Sequence, residues 1–314
     1  MDRRDVLVAF GALALAPSTA WTAAIAGARP GRVAANGIDF AYLEMGRGPL
    51  ALCLHGFPDS PQTYRHLLPA LAAEGYRAVA VYMRGFHPTG VPQDGRYDSA
   101  ALASDPAALH DALGGDRNAV LIAHDWGAVA AYGTLAAAPD RWRRAVIGNV
   151  PPWGTANFTY DQIKRSFYFW FFQLAAAEFF LGADDFAFID GLWRDWSPAT
   201  TRPTIYHAKA CLREPGHLRA ALGYYRSFFE PARFGTPQWA EEQTAAWGRP
   251  VQTPVLYLHG TNDGCIGLDA VAVDRFAGTF RGGYEFERIE GAGHFFLVER
   301  PQIASRIASY LSGS

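Results

Sequence analysis

The stretch Ala119-Val120-Leu121-Ile122-Ala123-His124-Asp125-Trp126-Gly127-Ala128-Val129-Ala130-Ala131-Tyr132 decides the fold. It opens with a short apolar run rich in branched side chains, the pattern of a buried strand. It closes with small, helix-compatible residues. A strand that turns sharply into a helix, with small residues flanking the turn, pushes the side chain at the turn clear of the surrounding backbone. Here that side chain is a carboxylate, Asp125.

The same rhythm extends outward from this stretch. Tyr42 to Met45, Leu50 to Leu54, Arg77 to Val81 and Arg144 to Val150 read as further strands. Helices are expected over Tyr64 to Gly75, Asp98 to Leu113 and from the turn to Ala138, before Pro139. The pattern stops at Pro151-Pro152 and gives way to aromatic-rich, helical sequence up to about Pro250. It returns with Val255 to Leu258, a helix over Asp269 to Phe280, a strand over Tyr284 to Ile289 and a closing helix over Ile303 to Leu311. Strand–helix alternation predicts an α/β fold, a mostly parallel sheet with helices on both faces. The expected organisation is a core of residues 32–150 and 250–314 and a helical cap of residues 151–249. Such a cap lies over the carboxyl ends of the strands, where open α/β sheets bind ligands.

Residues 1–28 differ in character. Arg3-Arg4 precedes the apolar stretch Val6 to Ala16, and small residues follow at Ser18-Thr19-Ala20 and Ala26-Gly27-Ala28. An export signal is expected, and the paired arginines suggest the twin-arginine route. The stretch is too short for a stable membrane span. An amphipathic helix on a cytoplasmic protein is the alternative. A net charge of −2 offers nothing to nucleic acid or an anionic membrane. Cys53, Cys211 and Cys265 lie far apart, without disulfide or zinc spacing, so no metal or cofactor is expected. Oligomeric state is not legible.

Asp125, Asp263 and His294 each follow a predicted strand. Nucleophile, acid, histidine is the chain order of α/β-hydrolases. An aspartate nucleophile displaces at saturated carbon and leaves an alkyl-enzyme ester. His294, oriented by Asp263, then activates the water that hydrolyses it. The backbone N–H groups of Trp126 and Phe57 are the expected oxyanion hole.

The segments His55-Gly56-Phe57-Pro58 and His124-Asp125-Trp126-Gly127, with Asp263 and His294, resemble the α/β-hydrolase epoxide hydrolases over nearly all the chain after residue 32. That resemblance implies a cis Phe57–Pro58 peptide. It also implies two cap tyrosines that protonate the epoxide oxygen as the ring opens. Tyr168, in Tyr168-Phe169-Trp170-Phe171-Phe172-Gln173, and Tyr225, in Gly223-Tyr224-Tyr225-Arg226, match those positions, with Tyr224 as the fallback for the second. Trp170, Phe57 and Trp126 are expected to touch substrate. Tyr82 departs from the family, standing where many relatives carry aspartate in a D-x-R-G segment, and Ala123 replaces a glycine.

The implied substrate pair is a small apolar or aromatic epoxide and water, giving a vicinal diol. A haloalkane or haloacetate dehalogenase of the same fold is the alternative, weakened by Phe57 where an asparagine often grips the leaving halide. A catalytically idle, exported binding module is the alternative from another class, and the complete triad argues against it. No Gly-x-Ser-x-Gly segment supports a serine esterase.

Overall fold

The computed structural model describes residues 25–199 and 202–313. Most of the expected export segment, residues 1–24, therefore lies outside the described residues. Eight strands form one sheet in the order β1-β2-β4-β3-β5-β6-β7-β8. They are β1 (Arg29–Ala35), β2 (Ile38–Gly46), β3 (Leu50–Leu54), β4 (Arg77–Val81), β5 (Val120–His124), β6 (Arg144–Gly148), β7 (Val255–Gly260) and β8 (Tyr284–Ile289). From β4 to β8 in that order every pairing is parallel, while β2 pairs antiparallel with both β1 and β4. The central strands are buried throughout, because helices cover both faces and leave no solvated side to alternate toward.

Two expectations change. β1 was not anticipated, since Arg29, Gly31 and Arg32 break its apolar pattern. It pairs with β2 across Asn36-Gly37, both at positive φ (49° and 74°), the turn that suits a tight hairpin. The helix expected over Asp269 to Phe280 is broken into short turns, because Val271 pairs with Ala156 in an isolated antiparallel bridge.

Helices α1 (Leu67–Ala73), α2 (Ser99–Ala112) and α3 (Trp126–Ala137) follow β3, β4 and β5. Between β6 and β7 come α4 (Tyr160–Arg165), α5 (Phe167–Phe171), α6 (Ala177–Trp196), α7 (Arg202–Arg213), α8 (His217–Phe228) and α9 (Pro237–Trp247). Among the described residues no strand of the sheet falls in that interval. Helices α10 (Phe276–Thr279), α11 (Phe296–Glu299) and α12 (Ile303–Ser312) complete the chain. The two faces are covered by α1 with α12 and by α2 with α3 and α9. No helix among the described residues is long and apolar enough to cross a membrane.

The helical insertion is tied to the loops beyond β7 and β8. Gln162 of α4 donates to the Cys265 carbonyl at 2.9 Å and accepts from the Gly267 N–H at 3.0 Å. The Trp196 carbonyl, at the end of α6, accepts the His294 N–H at 2.8 Å, and Ser197 Oγ accepts the Phe295 N–H at 2.7 Å. The Trp193 indole donates to the Pro58 carbonyl at 2.8 Å and stacks on Phe295.

The loop after β4 is pinned by Arg84. Arg84, fully buried, makes a two-pronged ion pair with Asp105 of α2 at 2.7 and 2.6 Å and donates to the Arg96 carbonyl at 2.6 Å. Removing one member of a buried pair strands the other charge. Asp105→Ala is therefore expected to destabilise the fold by about 3–5 kcal/mol, read as a lower denaturant midpoint at unchanged slope.

Candidate active site

Asp125 joins β5 to α3 with φ 54° and ψ −126°, a conformation that side chains other than glycine rarely adopt. Close packing of backbone enforces it. A Cβ on Gly127 would sit 2.3 Å from the Leu54 carbonyl oxygen, and one on Gly56 would sit 2.0 Å from Asp125 Oδ1. Both positions admit glycine alone. The Phe57 N–H can consequently reach Asp125 Oδ1 at 2.6 Å. Trp126 begins α3, so its N–H belongs to the first turn, where helices leave donors free. The Phe57–Pro58 peptide is cis, as is His87–Pro88.

His294 follows β8 and is fully buried. Its Nδ1 faces Asp263, 3.0 Å from Oδ2 and 3.2 Å from Oδ1, while Nε2 lies 3.5 Å from Asp125 Oδ2. Asp263 is itself held by the N–H groups of Cys265 and Ile266 at 2.7 and 3.0 Å. Burial opposes charge on the imidazole, but Cys265, Asp263 and Asp125 outweigh it and raise His294 well above its ordinary value. Burial likewise raises the Asp125 carboxyl. The neighbouring His294 imidazolium and the Phe57 N–H more than offset this and hold it below the usual carboxylate range.

Above Asp125 lies a cavity of about 330 Å³, lined almost wholly by apolar side chains, among them Trp126, Trp153, Phe228, Trp239 and Trp247. Tyr168 of α5 and Tyr225 of α8 also line it, with ring centroids 5.6 Å apart. Burial raises both phenols well above their ordinary value, so both stay protonated. The Tyr168 hydroxyl lies 3.2 Å from Cys265 Sγ, and the Tyr225 ring meets the Trp126 ring edge to face with centroids 5.1 Å apart. Tyr224, the fallback for Tyr225, points away and donates to the Arg84 carbonyl at 2.8 Å.

Two residues expected to touch substrate are placed elsewhere. Trp170 lies on the outward side of α5, over a third exposed, against Phe229 and Phe234; its neighbour Phe169 lines the cavity instead. The Phe57 ring is buried behind the cavity between Phe172 and Tyr225, so only its backbone reaches the site.

Three further residues were not anticipated. Asn149, just past β6 at φ 64°, donates to the His294 carbonyl at 2.5 Å and accepts from the Gly260 N–H at 3.3 Å. Its position beyond a parallel strand was the available signal. Cys265 brings its thiol to the cavity floor. Asp59, whose carboxyl burial raises to about 7, lies within electrostatic reach of Asp125 and His294.

A buried carboxylate thus stands on a strand–turn–helix, backed by a histidine–aspartate pair, in the chain order of α/β-hydrolases. The chain belongs to the alpha/beta hydrolase fold family, which matches residues 49–301. It is 32% identical over 217 residues to an epoxide hydrolase of Caballeronia sordidicola, covering 68% of this chain and 63% of that one. It thus spans less than two thirds of that relative's length. Epoxide hydrolase A of Mycobacterium tuberculosis is 28% identical over 330 residues, covering 88% of this chain and 95% of its own. Among solved structures, an epoxide hydrolase from Vigna radiata superposes with a TM-score of 0.75 at 25% identity, over 92% of this chain and 98% of that one.

Asn149→Ala leaves the buried Gly260 N–H without its partner and takes one donor from the His294 carbonyl. A loss of about 1–3 kcal/mol in stability is expected in equilibrium unfolding.

Proposed function

We propose that this protein opens epoxides to vicinal diols through an ester on Asp125. The observation that carries the reading is the pair of buried, protonated phenols facing an ionised aspartate across an apolar cavity. Ring opening at carbon generates an alkoxide, a poor leaving group unless an acid donates to it. Tyr168 and Tyr225 supply that donor.

Asp125 Oδ1 is committed to the Phe57 N–H, so Oδ2 attacks the ring carbon. The ring C–O bond breaks, its electron pair stays on oxygen, and that oxygen takes a phenolic proton. Esterification removes the charge on Asp125, one of the groups that raise His294. The imidazole thereby shifts toward a usable base. Its Nε2 proton passes to the phenolate left by ring opening; the neutral imidazole then accepts a proton from water at Nε2, and the hydroxide adds to the ester carbon. Oδ1 carries the resulting negative charge toward the N–H groups of Phe57 and Trp126. On collapse the leaving alkoxide takes the imidazolium proton and departs as the diol, and the Asp125 carboxyl passes its proton to His294, restoring carboxylate and imidazolium. Asp263 holds Nδ1 throughout and stabilises the imidazolium.

The size of the cavity and its tryptophan walls favour a bulky apolar or aryl epoxide over a short polar one.

His294→Gln is expected to stop at the ester. Mass spectrometry of that variant after incubation with a styrene-type epoxide should find Asp125 heavier by the mass of the epoxide. An unmodified protein in the presence of a substrate that the parent consumes would refute the two-step route. Tyr168→Phe with Tyr225→Phe is expected to lower diol formation by at least about a hundredfold, measured by single-turnover kinetics, because both ring-opening donors are gone.

A further inference from the structure

The mechanism leaves Cys265 unused, although its thiol reaches the floor of the cavity beside every reacting group. It follows Asp263 by two residues, and its own N–H donates to Asp263 Oδ1, so the turn that fixes the acid also fixes the thiol. One ligand atom from each of Asp125, Cys265 and His294 lies within 4.8 Å of the others, and all three residues are buried. His294 Nε2 has no hydrogen-bond partner, although it is fully enclosed. Asp263 fixes the opposite nitrogen, as the outer partner of a metal-binding histidine does, which leaves Nε2 aimed at the cluster.

We propose that Asp125, Cys265 and His294 form a binding site for a thiophilic divalent cation, Zn²⁺ or Cd²⁺, that blocks the nucleophile. Carboxylate, imidazole and thiolate in one cluster make a three-ligand set with an open fourth position facing the cavity. The sulfur sets the selectivity. Thiolate favours Zn²⁺ and Cd²⁺ and gives hard Mg²⁺ or Ca²⁺ little. On binding, Cys265 Sγ, His294 Nε2 and an oxygen of Asp125 donate to the ion, and the thiol proton leaves to solvent. The ion takes the place that the hydrolytic water needs and occupies the carboxylate that must attack carbon. Binding of the ion rests on the three side chains alone, whereas its blocking of the nucleophile rests on the reading of Asp125 proposed above.

The test is titration of the full-length protein with CdCl₂, following the ultraviolet charge-transfer band of thiolate bound to Cd²⁺. One saturable step carrying that band is expected, with no response to MgCl₂. Cys265→Val and Cys265→Ala should each remove the band and weaken Cd²⁺ binding by at least about tenfold. Cys211→Ala, which alters a buried thiol remote from the cluster, should keep both. His294→Gln and Asp125→Asn, nearly isosteric changes, should weaken binding while keeping a thiolate band. Bound Cd²⁺ should also raise the melting temperature of the parent and not of the Cys265 variants. No saturable step in the parent, an undiminished band in the Cys265 variants, or affinity untouched by His294→Gln and Asp125→Asn would overturn the proposal. No readout depends on turnover, so failure here is distinct from failure of the epoxide-opening reading.

Discussion

One backbone conformation governs the site: the positive φ of Asp125. Holding a residue with a Cβ there costs about 1–3 kcal/mol, which the surrounding packing must offset. It is offset by close approach of two loops, possible only because Gly56 and Gly127 have no side chains to intervene. The approach that pins the turn also delivers the Phe57 N–H to Asp125 Oδ1. Strain, orientation of the carboxylate and its principal hydrogen bond are thus consequences of a single piece of packing.

The electrostatics are equally interdependent. Two buried aspartates flank one buried histidine, with the His124 ring tilted against it and the His124 Nε2–H donating to the His294 carbonyl. His124 is driven down to about 3 by burial and by the charge of His294, so it stays neutral and leaves the imidazolium as the one cation among the carboxylates. Each reacting group therefore sets the protonation of the next. A change of charge on Asp125 would be felt at once by His294.

The elements that carry chemistry were legible because each obeys a local rule. A buried parallel strand reads as an apolar run, and Asp125, Asp263 and His294 each follow such a run. The cap tyrosines were found by resemblance, since helical spacing alone gives no reason to prefer Tyr225 over Tyr224. The structure separates them through the bond of Tyr224 to Arg84. What was not legible depends on contacts distant in sequence. β1 is a strand because β2 lies beside it. The helix expected near residue 270 is broken because Ala156 takes Val271 into a bridge. Trp170 faces outward because of the phase of α5, which aromatic content does not reveal. Asn149 and Cys265 enter the site only through the convergence of β6, β7 and β8.

The hydrogen bonds from Trp196 and Ser197 to the His294 loop, and from Gln162 to the segment after Asp263, bear on evolution and engineering. They make the helical insertion part of the frame that holds His294 and Asp263. The insertion is therefore not an interchangeable module. Grafting one from a relative would import new cavity walls and, with them, a foreign grip on His294. Diversification of substrate range along this lineage should then proceed by side-chain exchange within the cap, at positions such as Trp153 or Phe228, more readily than by swapping the cap entire.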